Sequence, residues 1–189
     1  GSTNFFAPPL SKIFAAFGPT WLEDGRITAD ILPSLARLGI GYGVALVLGI
    51  GGGLLIGTWG WLRAMTEPVL EFFRAIPPPV LVPVLILLFG IGDGMRVVVI
   101  ALGCLWPILL NTVQGVWSVD EVLRDTGSVY GLRPLTTLRT VVLRGASPQI
   151  FAGARQALSL GVILMVVSEM FAARDGLGFM VVFFQRNFL

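Results

Sequence analysis

The chain has 189 residues, 55% of them apolar and 13% charged, where soluble domains carry about 25% charged residues, so its expected solvent is lipid. A formal charge of +2, with arginines scattered singly, argues against nucleic acid as a partner, which calls for a basic stripe or patch. With no histidine, a single cysteine (Cys104) and a single lysine (Lys12), the sequence excludes imidazole bases, intrachain disulfides, multi-thiolate metal sites and a P-loop lysine, and no metal or cofactor is expected on this chain.

In chain order, the opening Gly1-Ser2 reads as an addition left by cloning, and no secretory leader pattern is visible. Ile13, Phe14 and Phe17 then share one face of a short helix suited to the membrane interface. A crossing helix needs about 20 apolar residues to pass roughly 30 Å of hydrocarbon. Charge-free stretches of 25, 18 and 23 residues lie between Arg37 and Arg63, Arg74 and Asp93, and Arg96 and Asp120. A fourth apolar stretch, from Gln149 to Ala173, carries Arg155 near its start and Glu169 near its end. The expectation is an all-α, polytopic membrane protein in one domain, residues 1–189, with spans at about 35–62, 76–92, 97–117 and 149–172. The later fragment Phe179–Phe184 is too short to cross.

The first span holds nine glycines between Leu38 and Leu62. Gly39 and Gly43, and likewise Gly49, Gly53 and Gly57, are spaced by four, which lets helix backbones approach closely in lipid. Gly51-Gly52-Gly53 lacks the Lys-Ser/Thr that a phosphate loop needs. Pro77-Pro78-Pro79 opens the second span, and Pro83 predicts a kink, a feature of transport pathways and equally of plain irregular packing. Asn111, Thr112 and Gln114 close the third span and either bond across helices or line a pore. Candidates for lining a pathway are Pro78, Asn111, Gln114 and Glu169. Glu169 reads equally as a gate, a packing residue or a carboxylate at the outer interface, while Arg155 reads as snorkelling.

Residues 118–148 are the most informative stretch. Ser118-Val119-Asp120-Glu121 has the form of a capping box and starts a helix predicted to stop at Gly127. Pro134 opens a second helix with Leu135, Leu138, Val141 and Val142 on one side. Between the two, Val129, Tyr130 and Leu132 are expected to face outward on a compact knob, the kind of apolar-aromatic projection that docks a partner. Taking residues 63–74 and 120–148 as loops on one side, Lys and Arg together divide six against six between the two sides and do not orient the chain, but the longer loop concentrates Arg124, Arg133, Arg139 and Arg144, which favours a cytoplasmic position.

Asp125-Thr126-Gly127, then Gly131, then Val141-Val142-Leu143-Arg144 resemble the signature E-A-A, three residues, G, nine residues, I-x-L-P. Phe73-Arg74-Ala75-Ile76-Pro77-Pro78, Leu88-Phe89-Gly90-Ile91-Gly92, the run Pro107 to Thr112, the run Ile150 to Arg155, and Val167-Ser168-Glu169-Met170 before Gly176-Leu177-Gly178 point the same way. Through these residues the chain resembles the permease subunits of bacterial binding-protein-dependent ABC importers of the type I fold, in the subgroup for nitrate, sulfonates and taurine. The resemblance implies a multi-pass permease in the bacterial inner membrane, paired with a second permease copy. It also implies two separate ATPase subunits, which would hold ATP and Mg, and an extracytoplasmic substrate-binding protein. Asp125, Thr126, Gly127, Ser128, Val129, Tyr130, Gly131, Leu132 and Arg133 would form the element that couples to the ATPase. Family members usually have six spans, so the chain is expected to begin after the first and end before the last. Arg144 stands where the family has proline, which would let the second loop helix run smoothly toward the membrane.

Two rival readings differ in chemistry. A membrane hydrolase needs a nucleophile with a base, or a ligated metal, and the residue inventory supplies neither. A channel or secondary transporter would work without ATP and would have no use for the knob.

Overall fold

The computed structural model describes residues 9–19, 25–172 and 175–187. The expectations attached to Gly1-Ser2, Ala173 and Arg174 lie outside these residues, as do the side chains of Ile13, Phe17 and Ser128. Among the described residues every regular element is helical. The short helix α1 (Leu10–Phe17) comes first, with Phe14 exposed. A π-turn, Ile27–Ile31, leads into α2 (Leu32–Thr58), which ends where Trp59 turns extended at φ −111° and ψ 105°. Next come α3 (Gly60–Arg74), a 3-10 turn (Pro78–Val80), α4 (Leu81–Phe89) and α5 (Asp93–Trp117). The chain closes with α6 (Glu121–Val129), α7 (Pro134–Thr137), a π-turn (Leu138–Val142), α8 (Leu143–Ala172) and α9 (Leu177–Asn187).

By length and composition three helical stretches can cross a membrane: Ile27–Thr58, Asp93–Trp117 and Pro134–Phe171. The pair Gly60–Arg74 and Pro78–Phe89, bent by 73°, makes a fourth when taken as one broken span. Taken so, the second stretch begins at Gly60 where the sequence suggests about residue 76, and the helix of the first ends at Thr58, four residues short of Leu62. Cutting the sequence at every charge had assigned residues 63–74 to a loop, yet they are helical throughout. The bend lies at residues 75–77, where the ring of Pro77 keeps Ile76 out of the α region. Pro83 makes no kink, because it sits in the first turn of α4, where its missing N–H leaves no helical bond unmade.

Close backbone approach organises the bundle. Helices α2 and α5 run parallel, and their contacts advance in step. A Cβ on Gly41 would lie 2.9 Å from Ile100 Cβ, one on Gly49 2.9 Å from Ile108 Cβ, one on Gly53 2.5 Å from Thr112 Cβ, and one on Gly57 2.7 Å from Val116 Cβ. Ala45 completes this four-residue stripe and is buried. Gly39 and Gly43 take no part, since open space faces both; the buried glycine of that turn is Gly41, midway between the pair expected. Helix α8 lies antiparallel on α5, with Gly153 against Asn111 and Gly161 against Cys104 and Leu38. Ile100, Cys104, Ile108 and Leu164 are fully buried in the seam of α2, α5 and α8. Without a hydrophobic drive between helices in lipid, such packing is what holds the helices together. Gly53→Leu is thus expected to destabilise the bundle by more than about 2 kcal/mol. Gly43→Leu should leave it within about 0.5 kcal/mol of the parent protein, a contrast that thermal unfolding in detergent reads directly.

Helix α3 lies antiparallel along α5. The guanidinium of Arg63 sits 3.9 Å from the ring centre of Trp117 at one end. Further up, Phe73 stacks on Trp106 at 5.3 Å with rings only 4° from parallel.

Candidate functional site

Three arrangements of polar or exposed residues stand out, one at each end of the bundle and one between them. At the α5 C-terminus the chain forms an elbow. Ser118 does not cap the next helix: it takes helical angles at the end of α5, and its hydroxyl donates to the Gly115 carbonyl at 2.9 Å. Asp120 is the cap, accepting the Val122 N–H at 2.9 Å. Helix α6 passes through Gly127 and ends at Val129. Gly131 adopts φ +66°, and the Leu132 N–H returns to the Gly127 carbonyl at 3.0 Å, the six-to-one bond of a Schellman cap. Gly127 is buried, and a Cβ there would meet Thr137 at 3.4 Å, so the helix did not stop where a glycine first appeared. Asp125, Thr126 and Arg133 are exposed, Leu132 is 40% exposed, and Val129 and Tyr130 project at 83% and 79%.

Beyond the elbow, Pro134 occupies the first turn of α7, and helical structure continues without a break to Ala172. The second loop helix and the fourth span are therefore one rod rather than two elements. Arg144, in place of a proline, leaves its backbone N–H available to the helix.

At the opposite end of the bundle lies an ionic cluster. Arg37 Nη1 donates to Glu169 Oε1 at 2.9 Å, and its Nη2 lies 2.8 Å from Asp93 and 3.1 Å from Asp175. Arg96 Nη1 reaches the same two aspartates at 3.0 and 3.2 Å. Glu169 is 1% exposed and also accepts from the Ser34 hydroxyl at 2.7 Å and the Gly178 N–H at 3.0 Å. Gly176, at φ +106°, leaves room for the Glu169 carboxylate, which would lie 2.5 Å from a Cβ, and its N–H donates to Asp30 at 2.9 Å. The cluster ties α2, α5, α8 and α9 together.

Between the two ends lies a cavity of about 390 Å³. It is lined by Arg74 and Pro78 from the bent pair, by Trp106, Asn111 and Gln114 from α5, and by Gln156 from α8. Three of the four residues singled out as pathway candidates, Pro78, Asn111 and Gln114, thus meet in one space. Glu169 is not among its lining residues, being engaged in the ionic cluster. Thr112 turns away too: it is fully buried against Gly53 and bonds the Ile108 carbonyl at 2.7 Å. Sequence reasoning missed Arg74 and Gln156. The first had been placed in a loop, and the second lies on the same α8 face as the buried Gly153, a periodicity that could have revealed it. Among the described residues no group of His, Cys, Asp or Glu is arranged to hold a metal ion.

A bundle of crossing helices with a broken second span, an interior polar cavity and a rigid projecting elbow defines a polytopic transport-type membrane protein. The chain belongs to the family of binding-protein-dependent transport system inner membrane components, whose match covers residues 45–188. It is 32% identical over 183 residues to the taurine transport system permease protein TauC of Escherichia coli K12, covering 95% of this chain and 66% of that protein. It is also 32% identical over 151 residues to the bicarbonate transport system permease protein CmpB of Synechococcus elongatus, covering 79% and 54%. The chain thus spans two thirds or less of the length of these relatives. The fold matches that of the MetNI methionine ABC transporter, solved in inward-facing conformations, at a TM-score of 0.71 and 19% identity, over 89% of this chain and 82% of that one. The type I permease fold and an inner-membrane position follow.

Proposed function

We propose that this chain is the membrane-spanning part of an ATP-driven importer for a compact oxyanion. Two copies would enclose the pathway, with a pair of separate ATPase subunits seated on the elbows and a binding protein delivering solute from the other side. The observation that carries this reading is the elbow. Val129 and Tyr130 project from a turn locked by the Gly131 cap, and the turn joins a rod that ends at the ionic cluster. A displacement imposed at residues 125–133 therefore reaches α8 along its whole length instead of dissipating in a hinge, as two-state domain motion requires. The relatives support an anion: taurine ends in a sulfonate and bicarbonate is itself an oxyanion. ATP and Mg would be held by the partner ATPase, since this chain presents no nucleotide loop.

The loop holding Arg124, Arg133, Arg139 and Arg144 would lie in the cytoplasm. Co-expression with an ATPase chain of the same transport system is the direct test. The proposal expects a stable complex that hydrolyses ATP faster when loaded binding protein is added. A permease that never retains an ATPase chain would contradict it.

A further inference from the structure

We infer that Arg74 and the carboxamides beside it form a low-affinity site for a compact oxyanion halfway through the membrane. The inference rests on the reading of the chain as an importer's permease and adds a place where the solute itself is recognised. Helix α3 climbs along α5 from Arg63 at Trp117 to Phe73 at Trp106, which carries Arg74, the last residue of α3, to the level of Trp106. At 1.5 Å per residue, Trp106 is about 16 Å from the Trp117 end of α5 and about 20 Å from the Asp93 end. Arg74 is thus near mid-depth in the crossing helix that the bundle is built around. Charged side chains at such depth face a protein interior or a water-filled cavity, and they mark solute pathways.

The surroundings suit an anion. Arg74 borders the 390 Å³ cavity, whose lining contains no aspartate or glutamate but holds Asn111, Gln114 and Gln156. Its side chain is 61% exposed, and its contact with Glu71 is 3.5 Å long with both partners exposed, a weak pair that an arriving anion can displace. The arginines of the ionic cluster differ, being less than a tenth exposed and held by several carboxylates. The planar fork of Arg74 matches two oxygens of a sulfonate, nitrate or bicarbonate. Asn111 gives one amide N–H to the Pro107 carbonyl at 2.7 Å, which leaves the second for the ligand. Pro107 has no N–H to offer the Gly103 carbonyl, and Gly103 lines the same cavity, so an acceptor stands there for the ammonium of a zwitterionic sulfonate. One cation with neutral amides makes a site that binds and lets go, as conduction requires.

The test uses the complete importer, permease with its ATPase chains and binding protein, in proteoliposomes. Taurine, nitrate and bicarbonate serve as probes, and uptake and ATP hydrolysis are read on the same sample. Arg74→Gln is expected to lower solute moved per ATP at least about tenfold, while hydrolysis stimulated by loaded binding protein stays within about twofold. Arg74→Lys should keep most of the yield, and Glu71→Gln should raise it. Unchanged uptake in Arg74→Gln overturns the site, and so does a parallel fall of uptake and hydrolysis, which would make Arg74 part of the stroke. A parent complex that moves none of the three probes overturns the importer reading itself, and that outcome is visible before any variant is made.

Discussion

Replacing Arg37 by methionine is expected to destabilise the bundle by about 3–5 kcal/mol, the cost of stripping the partner from a buried charge. Glu169 is the reason. It is 1% exposed, and its other partners are the neutral Ser34 hydroxyl and Gly178 N–H, so without Arg37 a carboxylate is left buried with no cation in contact among the described residues. The reverse change is milder. In Glu169→Gln, Arg37 keeps Asp93 at 2.8 Å and Asp175 at 3.1 Å, and the amide still accepts from Ser34. Its expected cost is about half as large, between a lost charge-assisted bond and a lost ion pair. Replacing both residues by methionine should recover much of the loss, because apolar pairs of similar volume often replace buried ion pairs without penalty. Thermal unfolding of the three variants in detergent measures this order. An Arg37→Met protein as stable as the parent would show that the cluster does not hold the helices together.

The second large effect lies at the elbow and concerns function rather than stability. Tyr130→Asp places a charge on the most exposed aromatic among the described residues, 79% exposed, in a turn whose backbone it does not disturb. Docked aromatic anchors typically contribute at least about 2 kcal/mol, equivalent to a loss of about thirtyfold or more in affinity. The variant is expected to fold and unfold like the parent yet to lose its ATPase partner during purification, and with it all uptake. Gly131→Val should act differently. It forces a branched residue to φ +66°, a strain of about 1–3 kcal/mol that loosens the turn, so coupling weakens even where the ATPase is retained.

Much of this was legible in the sequence, for physical reasons that also mark where legibility ends. Composition alone places the chain in lipid, since 13% charged residues cannot cover a soluble surface. The end of α5 at Trp117 coincides with the end of the stretch expected at 97–117, but the helix starts four residues earlier, at Asp93, because Asp93 and Arg96 belong to it rather than bounding it. Helix α3 was not legible by the same method: Arg63, Glu67, Glu71 and Arg74 recur on it, and counting apolar runs cannot find a charged helix that borders cavities. The pairing of Arg37 with Glu169 spans 132 positions, and no periodicity announces it. The choice between Ser118 and Asp120 as cap depends on which backbone leaves the helical region first, and that is decided by the end of α5. Gly39 and Gly43 share the spacing of the buried set, but a spacing names a face without saying what covers it. Pro78, Asn111 and Gln114 were found by their polarity in apolar surroundings, which is the same property that brings them to one cavity.

Purified permease, with and without its ATPase chains, reconstituted in sealed vesicles with binding protein outside, tests the central claim most directly. Solute uptake should appear only when the ATPase is present and ATP is supplied on its side, and it should vanish in Tyr130→Asp. Uptake by the permease alone, or uptake in the complex that persists without ATP, would contradict the account.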